Sequence, residues 1–263
     1  MFDRLRAGLR AKLVRIADET ADRQYARYEA LVEGLRRELR EETARLADTV
    51  REIEFRSRRD IHAAGERAAV ASTDRFVRAH LPTVVTFPHP METLQHALSF
   101  VPDTGMVCEF GVFGGTTLKA ITAALPGREI YGFDSFEGLP EDWRTNIPSG
   151  AFDRGGQRPE VDGAVLVVGW FADTLPGFVE EQQGPVAFLH LDADLYSSTA
   201  TVLEHLGDRL RPGSVVLFDE YFNYPGWEEH EHKAWQEFVA RTGITFEYLC
   251  YTSNNEQLAL RIT

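Results

Sequence analysis

The chain reads as an α/β protein with a doubly wound, seven-stranded, mostly parallel sheet, a C-terminal antiparallel hairpin and a helical N-terminal arm. Three observations predict this. From residue 106 onward, apolar runs of strand character alternate with helical stretches at the spacing of right-handed βαβ units. The chain closes on two strand-like runs, Thr245–Thr252 and Gln257–Ile262, around Ser253-Asn254-Asn255. Residues 1–75 contain no proline and almost no glycine, the composition of uninterrupted helix.

Within that arm Val32, Leu35, Leu39, Leu46 and Ile53 fall on a seven-residue a/d lattice, which Tyr25 and Tyr28 extend backward. Glu42 and Thr49 occupy d positions, so the seam is imperfect. A 3.5-residue apolar period over about four heptads predicts a helical hairpin or a short coiled coil, most simply a dimerisation arm. A homodimer or higher homo-oligomer is therefore expected. The alternative is one amphipathic helix packed on its own domain. Over residues 1–16, Phe2, Leu5, Leu9, Leu13 and Ile16 line one face, with Arg4, Arg6, Arg10, Lys12 and Arg15 around it. Such a helix can lie on an anionic membrane surface, although a solvated face is the simpler reading. The segment lacks the apolar core and cleavage site of a secretory signal.

The expected domains are an arm over 1–75 and a catalytic domain over 76–263. Prolines between His80 and Pro90 punctuate the junction, and a short helix, Met91 to Phe100, leads into the sheet. Strands are expected at 106–112, 128–134, 164–170, 187–193 and 214–220. Helices are expected near 115–125, 174–182, 198–210 and 228–241. A long loop, 135–162, carries Trp143, Arg144 and Phe152, and loops of that length in compact domains are usually functional.

Charge excludes one class of partner. Residues 1–60 carry 15 Lys and Arg against 13 Asp and Glu, leaving 13 against 28 in the remaining 203 residues, a net −15. An acidic body is unsuited to a phosphate backbone, so no nucleic-acid partner is expected. No apolar stretch approaches membrane-spanning length. Cys108 and Cys250 sit singly in apolar runs, as buried small hydrophobes do, which suits a reducing cytoplasm.

The chemistry lies at the strand ends, where open α/β sheets bind ligands. Glu109 opens the turn Glu109-Phe110-Gly111-Val112-Phe113-Gly114-Gly115-Thr116-Thr117, Asp134 ends the next strand, and Asp192, Asp194, Asp219 and Glu220 end two more. Glycines admit a ligand close to the backbone, and free N–H groups at a helix start suit an anionic group. Asp134 stands where an acid commonly takes ribose hydroxyls. The spacing is G-x-x-G-G rather than G-x-G-x-x-G, and the leading Glu109 would repel a pyrophosphate while attracting an ammonium or sulfonium. S-adenosylmethionine is favoured over NAD. Plain tight turns remain the other reading of the glycines.

The motifs CEFGVFGGTT, IYGFDSFEGLPEDWR, VVGWFADTLP, LHLDADLYSST and VLFDEYFNYPGW with HEHKAWQEF, in that order over residues 87–262, resemble the macrocin O-methyltransferase family. The resemblance implies class I, S-adenosylmethionine-dependent methyl transfer to hydroxyls of sugars in natural products and glycans, typically with Mg2+. The acceptor would be a small molecule or glycan. By the same resemblance Glu109, Gly111, Gly114, Gly115 and Thr116 would hold the methionine part, Asp134 and Ser135 the ribose, and Gly169, Trp170 and Phe171 the adenine. Asp192, Asp219 and Glu220 match the metal ligands, with Glu220 a departure from the Asp-Asp of some members. Asp194 is the candidate base and His230 a second one, while Glu231 and Lys233 also match the pattern. Two other readings stay open: a nicotinamide-dependent oxidoreductase or epimerase, and a non-catalytic coiled-coil scaffold with a degenerate methyltransferase domain.

Overall fold

A computed structural model describes the chain from Phe2 to Thr263, with side chains described from Arg6 onward. A break after Ile61 separates two compact units. The first is a single helix, α1 (Phe2–Arg59), of 58 residues. At 1.5 Å per residue it runs about 87 Å. Nothing in it stops a helix. Ion pairs one turn apart, such as Arg36–Glu33 at 2.8 Å and Arg56–Glu52 at 2.7 Å, each add a few tenths of a kcal/mol. No turn interrupts residues 2–59, so the expected helical hairpin does not form within them. The lattice residues Tyr25, Tyr28, Val32, Leu35, Leu39, Leu46 and Ile53 are 43–69% exposed. Leu9, Leu13 and Ile16 of the basic amphipathic face are also exposed. The side chains of Phe2, Arg4 and Leu5 lie outside the described residues.

The second unit begins at His62, not at residue 76. Helix α2 (Ile61–His80) joins it through polar and aromatic contacts. Thr73 Oγ1 accepts the Asn223 amide at 2.9 Å, and Trp227 Nε1 donates to Ser72 Oγ at 2.8 Å. The Phe76 ring meets Trp227 at 5.7 Å and His232 at 5.4 Å. The contact face of α2, Ala69, Ser72, Thr73 and Phe76, has helical spacing but mixes small, polar and aromatic residues, so apolar spacing does not mark it.

The sheet has eight strands rather than seven, in the order β1-β7-β8-β6-β5-β2-β3-β4. They are β1 (Val85–Phe87), β2 (Met106–Phe110), β3 (Ile130–Asp134), β4 (Ala164–Val168), β5 (Val186–Leu191), β6 (Leu210–Phe218), β7 (Phe246–Thr252) and β8 (Leu258–Ile262). The expected C-terminal hairpin is present: β8 pairs antiparallel with both β6 and β7. It is not the edge, because β1 adds to β7 in parallel. Three residues between prolines are too few for alternation to show.

Strands β2 and β5 are buried along their whole length, as a parallel sheet covered on both faces requires. One face packs on α3 (Pro90–Leu98) and α4 (Thr116–Ala124), with Leu94, Leu118 and Ile121 against Val107, Phe188 and Val215. The other packs on α5 (Phe171–Glu181), α6 (Tyr196–Leu206) and α7 (Glu231–Thr242), with Phe178, Val202 and Trp235 against Phe133, Leu189 and Phe218. Cys108 and Cys250 are buried and free. Among the described residues no helix is long and apolar enough to cross a membrane.

His232 lies among Phe76, Tyr221 and Trp227, and burial, helped by His80, lowers its pKa to about 4 from 6.5. The unfolded chain therefore binds this proton first. The stability it contributes is complete above pH 6.5 and is lost as the pH falls towards 4. Thermal melts from about pH 7.5 to about pH 5 should show a falling midpoint, and His232→Phe should flatten part of that slope. An unchanged slope in the variant would remove His232 as its source.

Candidate active site

The carboxyl ends of β2 to β6 surround a cavity of about 500 Å³. Its floor depends on one close approach. Gly111 follows β2 with φ +95°, and a Cβ there would sit 1.8 Å from the Asp192 carbonyl oxygen. The Asp192 amide donates to the Phe110 carbonyl at 2.9 Å, so the backbones continue in contact past their strands. Any side chain at 111 would push Asp192 out of place.

Asp134 ties this turn together. Its Oδ2 accepts the amides of Val112 (2.8 Å) and Phe113 (2.7 Å), and its Oδ1 accepts that of Phe136 (2.7 Å). It lines the cavity with Gly111, Ser135, Gly169, Trp170 and Phe171, all expected at the cofactor. Gly114, Gly115 and Thr116 are not on the wall. Pro159 and Val161 lie 3.0 Å from where a Gly115 Cβ would stand, and Arg154 is 3.7 Å from that of Gly114, so loop 135–162 covers this part of the turn.

Glu109 is also off the wall. It is fully buried, and its Oε1 stands 2.8 Å from His190 Nδ1. His190 Nε2 lies 3.6 Å from Asp219 Oδ1, while Gln257 Nε2 donates to Asp219 Oδ2 at 3.1 Å. Burial works against charge on His190, but the two carboxylates outweigh it and raise its pKa well above 6.5. Burial would raise the pKa of Asp219, but His190 and then Gln257 lower it. His190 thus bridges the buried Glu109 and the half-buried Asp219. Strand register explains the contact, since Glu109 of β2 faces His190 of β5 across the ladder.

The acids that converge are Asp192, Asp194 and Glu220, each with a carboxylate oxygen within 4.8 Å of the others. The geometry therefore departs from the expected set: Asp194 takes the place of Asp219, which turns down towards His190 and Gln257. The cause is local. Asp194 adopts φ +60°, unusual outside glycine, within a tight turn where the Leu195 amide meets the Ala193 carbonyl at 2.6 Å. Burial, and next the charge of Asp219, raises the pKa values of Asp192 and Glu220 well above normal. Asp194 is raised to about 7, by burial and against the pull of Arg144. Glu220 Oε2 is buried without a partner.

His230 is not on the cavity wall. It precedes α7, with its ring 6.0 Å from that of Tyr224, and burial followed by Arg144 lowers its pKa. Lys233 pairs with Glu229 at 2.9 Å, an i,i+4 surface ion pair. Glu231 is fully buried and accepts the Glu220 amide at 3.1 Å, so it orients the acid above it. Sequence reading gave no role to Gln257 or His190. The one signal was a histidine inside the apolar run of β5. Arg144 stacks 3.9 Å over Trp143 and 4.8 Å over Tyr224, and pairs with Glu256 at 3.0 Å.

Gly111→Ala should destabilise the domain by more than about 2 kcal/mol in urea unfolding, from left-handed strain plus collision. Gly150, also at positive φ but with open space around it, supplies the control. Gly150→Ala should cost about 1 kcal/mol. Equal losses would deny the close approach its part.

Comparisons with known proteins bear on this site. Residues 160–249 match the family model described as macrocin O-methyltransferase (TylF). A tetracenomycin 4'-O-methyltransferase of Streptomyces olivaceus, named for a dimethoxy-rhamnosyl substrate, is 32% identical over 50% of this chain and 59% of its own length. Mycinamicin III 3''-O-methyltransferase of Micromonospora griseorubida is 38% identical over 30% of this chain and 28% of its own. The chain thus spans less than two thirds of either. The crystal structure of a calicheamicin methyltransferase superposes with a TM-score of 0.54 at 28% identity, covering 65% of this chain and 76% of that one. The fold is that of solved methyltransferases, and residues 160–249 carry the pattern of the macrocin O-methyltransferase family, which the sequence motifs resemble.

Proposed function

We propose that the chain transfers a methyl group from S-adenosylmethionine to a hydroxyl of a sugar or glycosylated natural product, with Mg2+ held by Asp192, Asp194 and Glu220. The observation that carries this is the triad of carboxylates within 4.8 Å, Asp194 and Glu220 buried and Asp192 half-buried, one of whose oxygens has no partner. At that spacing two full charges repel by about 3–4 kcal/mol at an effective dielectric of about 20. A hard divalent cation turns that repulsion into attraction, and all-oxygen donors suit Mg2+. When bound, it would lower the pKa of an acceptor hydroxyl, as the sulfonium cofactor supplies the methyl group.

The chain's own residues do the rest. Trp170 and Phe171 offer an apolar wall for a purine, and Ser135 and the one acceptor site left on Asp134 Oδ1 suit ribose hydroxyls. Trp143, Leu139 and Phe152 close the acceptor side and exclude water. Asp194, on the cavity wall, is placed to accept the hydroxyl proton as the C–O bond forms and the bond from sulfur to the methyl group breaks. The names of the relatives above, both of them O-methyltransferases and one naming a rhamnosyl group, support a sugar acceptor. A homo-oligomer and a cytoplasmic location belong to the same reading.

Calorimetric titration of Mg2+ or Mn2+ into the protein tests the metal. Asp192→Asn and Glu220→Gln should abolish binding, whereas Asp219→Asn should only weaken it. If Asp194→Asn keeps metal affinity but loses about 10²–10⁴ in turnover, Asp194 is the base alone. Full activity in the presence of a chelator would defeat the metal assignment. Asp134→Ala should weaken S-adenosylhomocysteine binding by about 1.5–3 kcal/mol, and unchanged affinity would take Asp134 out of the cofactor site.

A further inference from the structure

The apolar lattice of α1 has a pattern that specifies its partner. Eleven residues of the arm, among them Leu31, Val50 and the seven of the lattice, expose large apolar side chains between Tyr25 and Ile61. A helix that exposes apolar side chains at heptad spacing along such a stripe offers a half-interface. We propose that α1 pairs with α1 of a second copy of this chain, as an antiparallel two-stranded coiled coil centred between Arg40 and Glu41.

Charge decides the orientation. With a at 25, 32, 39, 46 and 53, the d positions include Glu42 and Arg56. A parallel, in-register pair would set Glu42 against Glu42 and Arg56 against Arg56 of the second copy in the seam. Like charges facing there oppose association. The antiparallel pair sets a against d instead. Centred between 40 and 41, it puts Leu46 on Leu35, Ile53 on Tyr28, Val32 on Thr49, Leu39 on Glu42 and Tyr25 on Arg56 of the second copy. The last is a cation–π pairing.

The flanking positions select the register. In this alignment Glu38 of one copy faces Arg45 of the other, twice over by symmetry. Within each chain Arg45 already holds Glu42 at 3.2 Å, so it screens the one carboxylate placed in the seam. Shifting by a heptad one way brings Arg45 onto Arg45 and Glu38 onto Glu52. Shifting the other way brings Glu38 onto Glu38. Of these three registers only the central one is free of facing like charges. A membrane surface is the lesser match, because 15 basic residues over 1–60 are nearly balanced by 13 acidic ones.

The inference stands apart from the catalytic reading, because it is tested by association and not by methyl transfer. The full chain should sediment as a dimer. Glu38→Arg or Arg45→Glu alone should weaken the dimer about tenfold, and the two together should restore it. Orientation is read by crosslinking, since Cys108 and Cys250 are buried and do not compete. Under mild oxidation, Leu35→Cys protein mixed with Leu46→Cys protein should form a heterodisulfide, and neither should crosslink alone. Homodisulfides from either protein alone would mean a parallel pair and overturn the proposal. A monomeric full chain would overturn it as well, and so would capture by vesicles of anionic phospholipid in place of self-association.

Discussion

Five acidic side chains, Asp192, Asp194, Asp219, Glu220 and Glu231, crowd the ends of two adjacent strands and the helix that follows them, and they cannot all be charged at once. The rest of the site is arranged around that constraint. Asp219 escapes it by turning to His190, which also meets Glu109. Glu231 is held by the Glu220 amide and the hydroxyl of Thr199. Asp192, Asp194 and Glu220 have no such relief, and burial lifts all three towards the neutral form. A buried charge without compensation costs several kcal/mol, so a region like this persists only where something repays it. In the proposed function the repayment is a divalent cation.

The sheet order is what makes this arrangement possible. Placing β2 beside β5 brings Glu109 level with His190, and placing β8 beside β6 brings Gln257 over Asp219. The antiparallel hairpin therefore supplies a hydrogen bond to the floor of the site as well as closing the core. Gly111 lets the β2 and β5 backbones meet, which fixes Asp192, and Asp134 draws the turn above it into shape. A change at any of these positions alters the acids without touching them.

Much of this was legible in the sequence, and what was not has physical reasons. Acids at strand ends were visible because a strand's apolar run shows where it stops. Ser135, Gly169, Trp170 and Phe171 were visible for the same reason, and the geometry gathers them on the cavity wall. The exchange between Asp194 and Asp219 was not visible, because it turns on a left-handed φ that the residue type aspartate permits but does not announce. Glu109 is expected at the ligand from its charge and from the family resemblance, yet its direction depends on a neighbouring strand 81 residues away in sequence. Strand order, not spacing, made that choice. His230 stands one residue before α7, where the backbone departs from helix and carries the ring off the wall.

The contrast between the two units sharpens the reading of the arm. In the second unit most large apolar residues are buried or half-buried, and the acids that are buried have reasons to be. In α1, apolar residues at heptad spacing stay exposed along a helix about 87 Å long. Helical propensity and a few i,i+4 ion pairs hold such a helix only weakly, since most helical stability in proteins comes from packing an apolar face. A helix of 58 residues that keeps its seam free of proline and its facing charges complementary in a central antiparallel register is therefore best understood as one half of a structure.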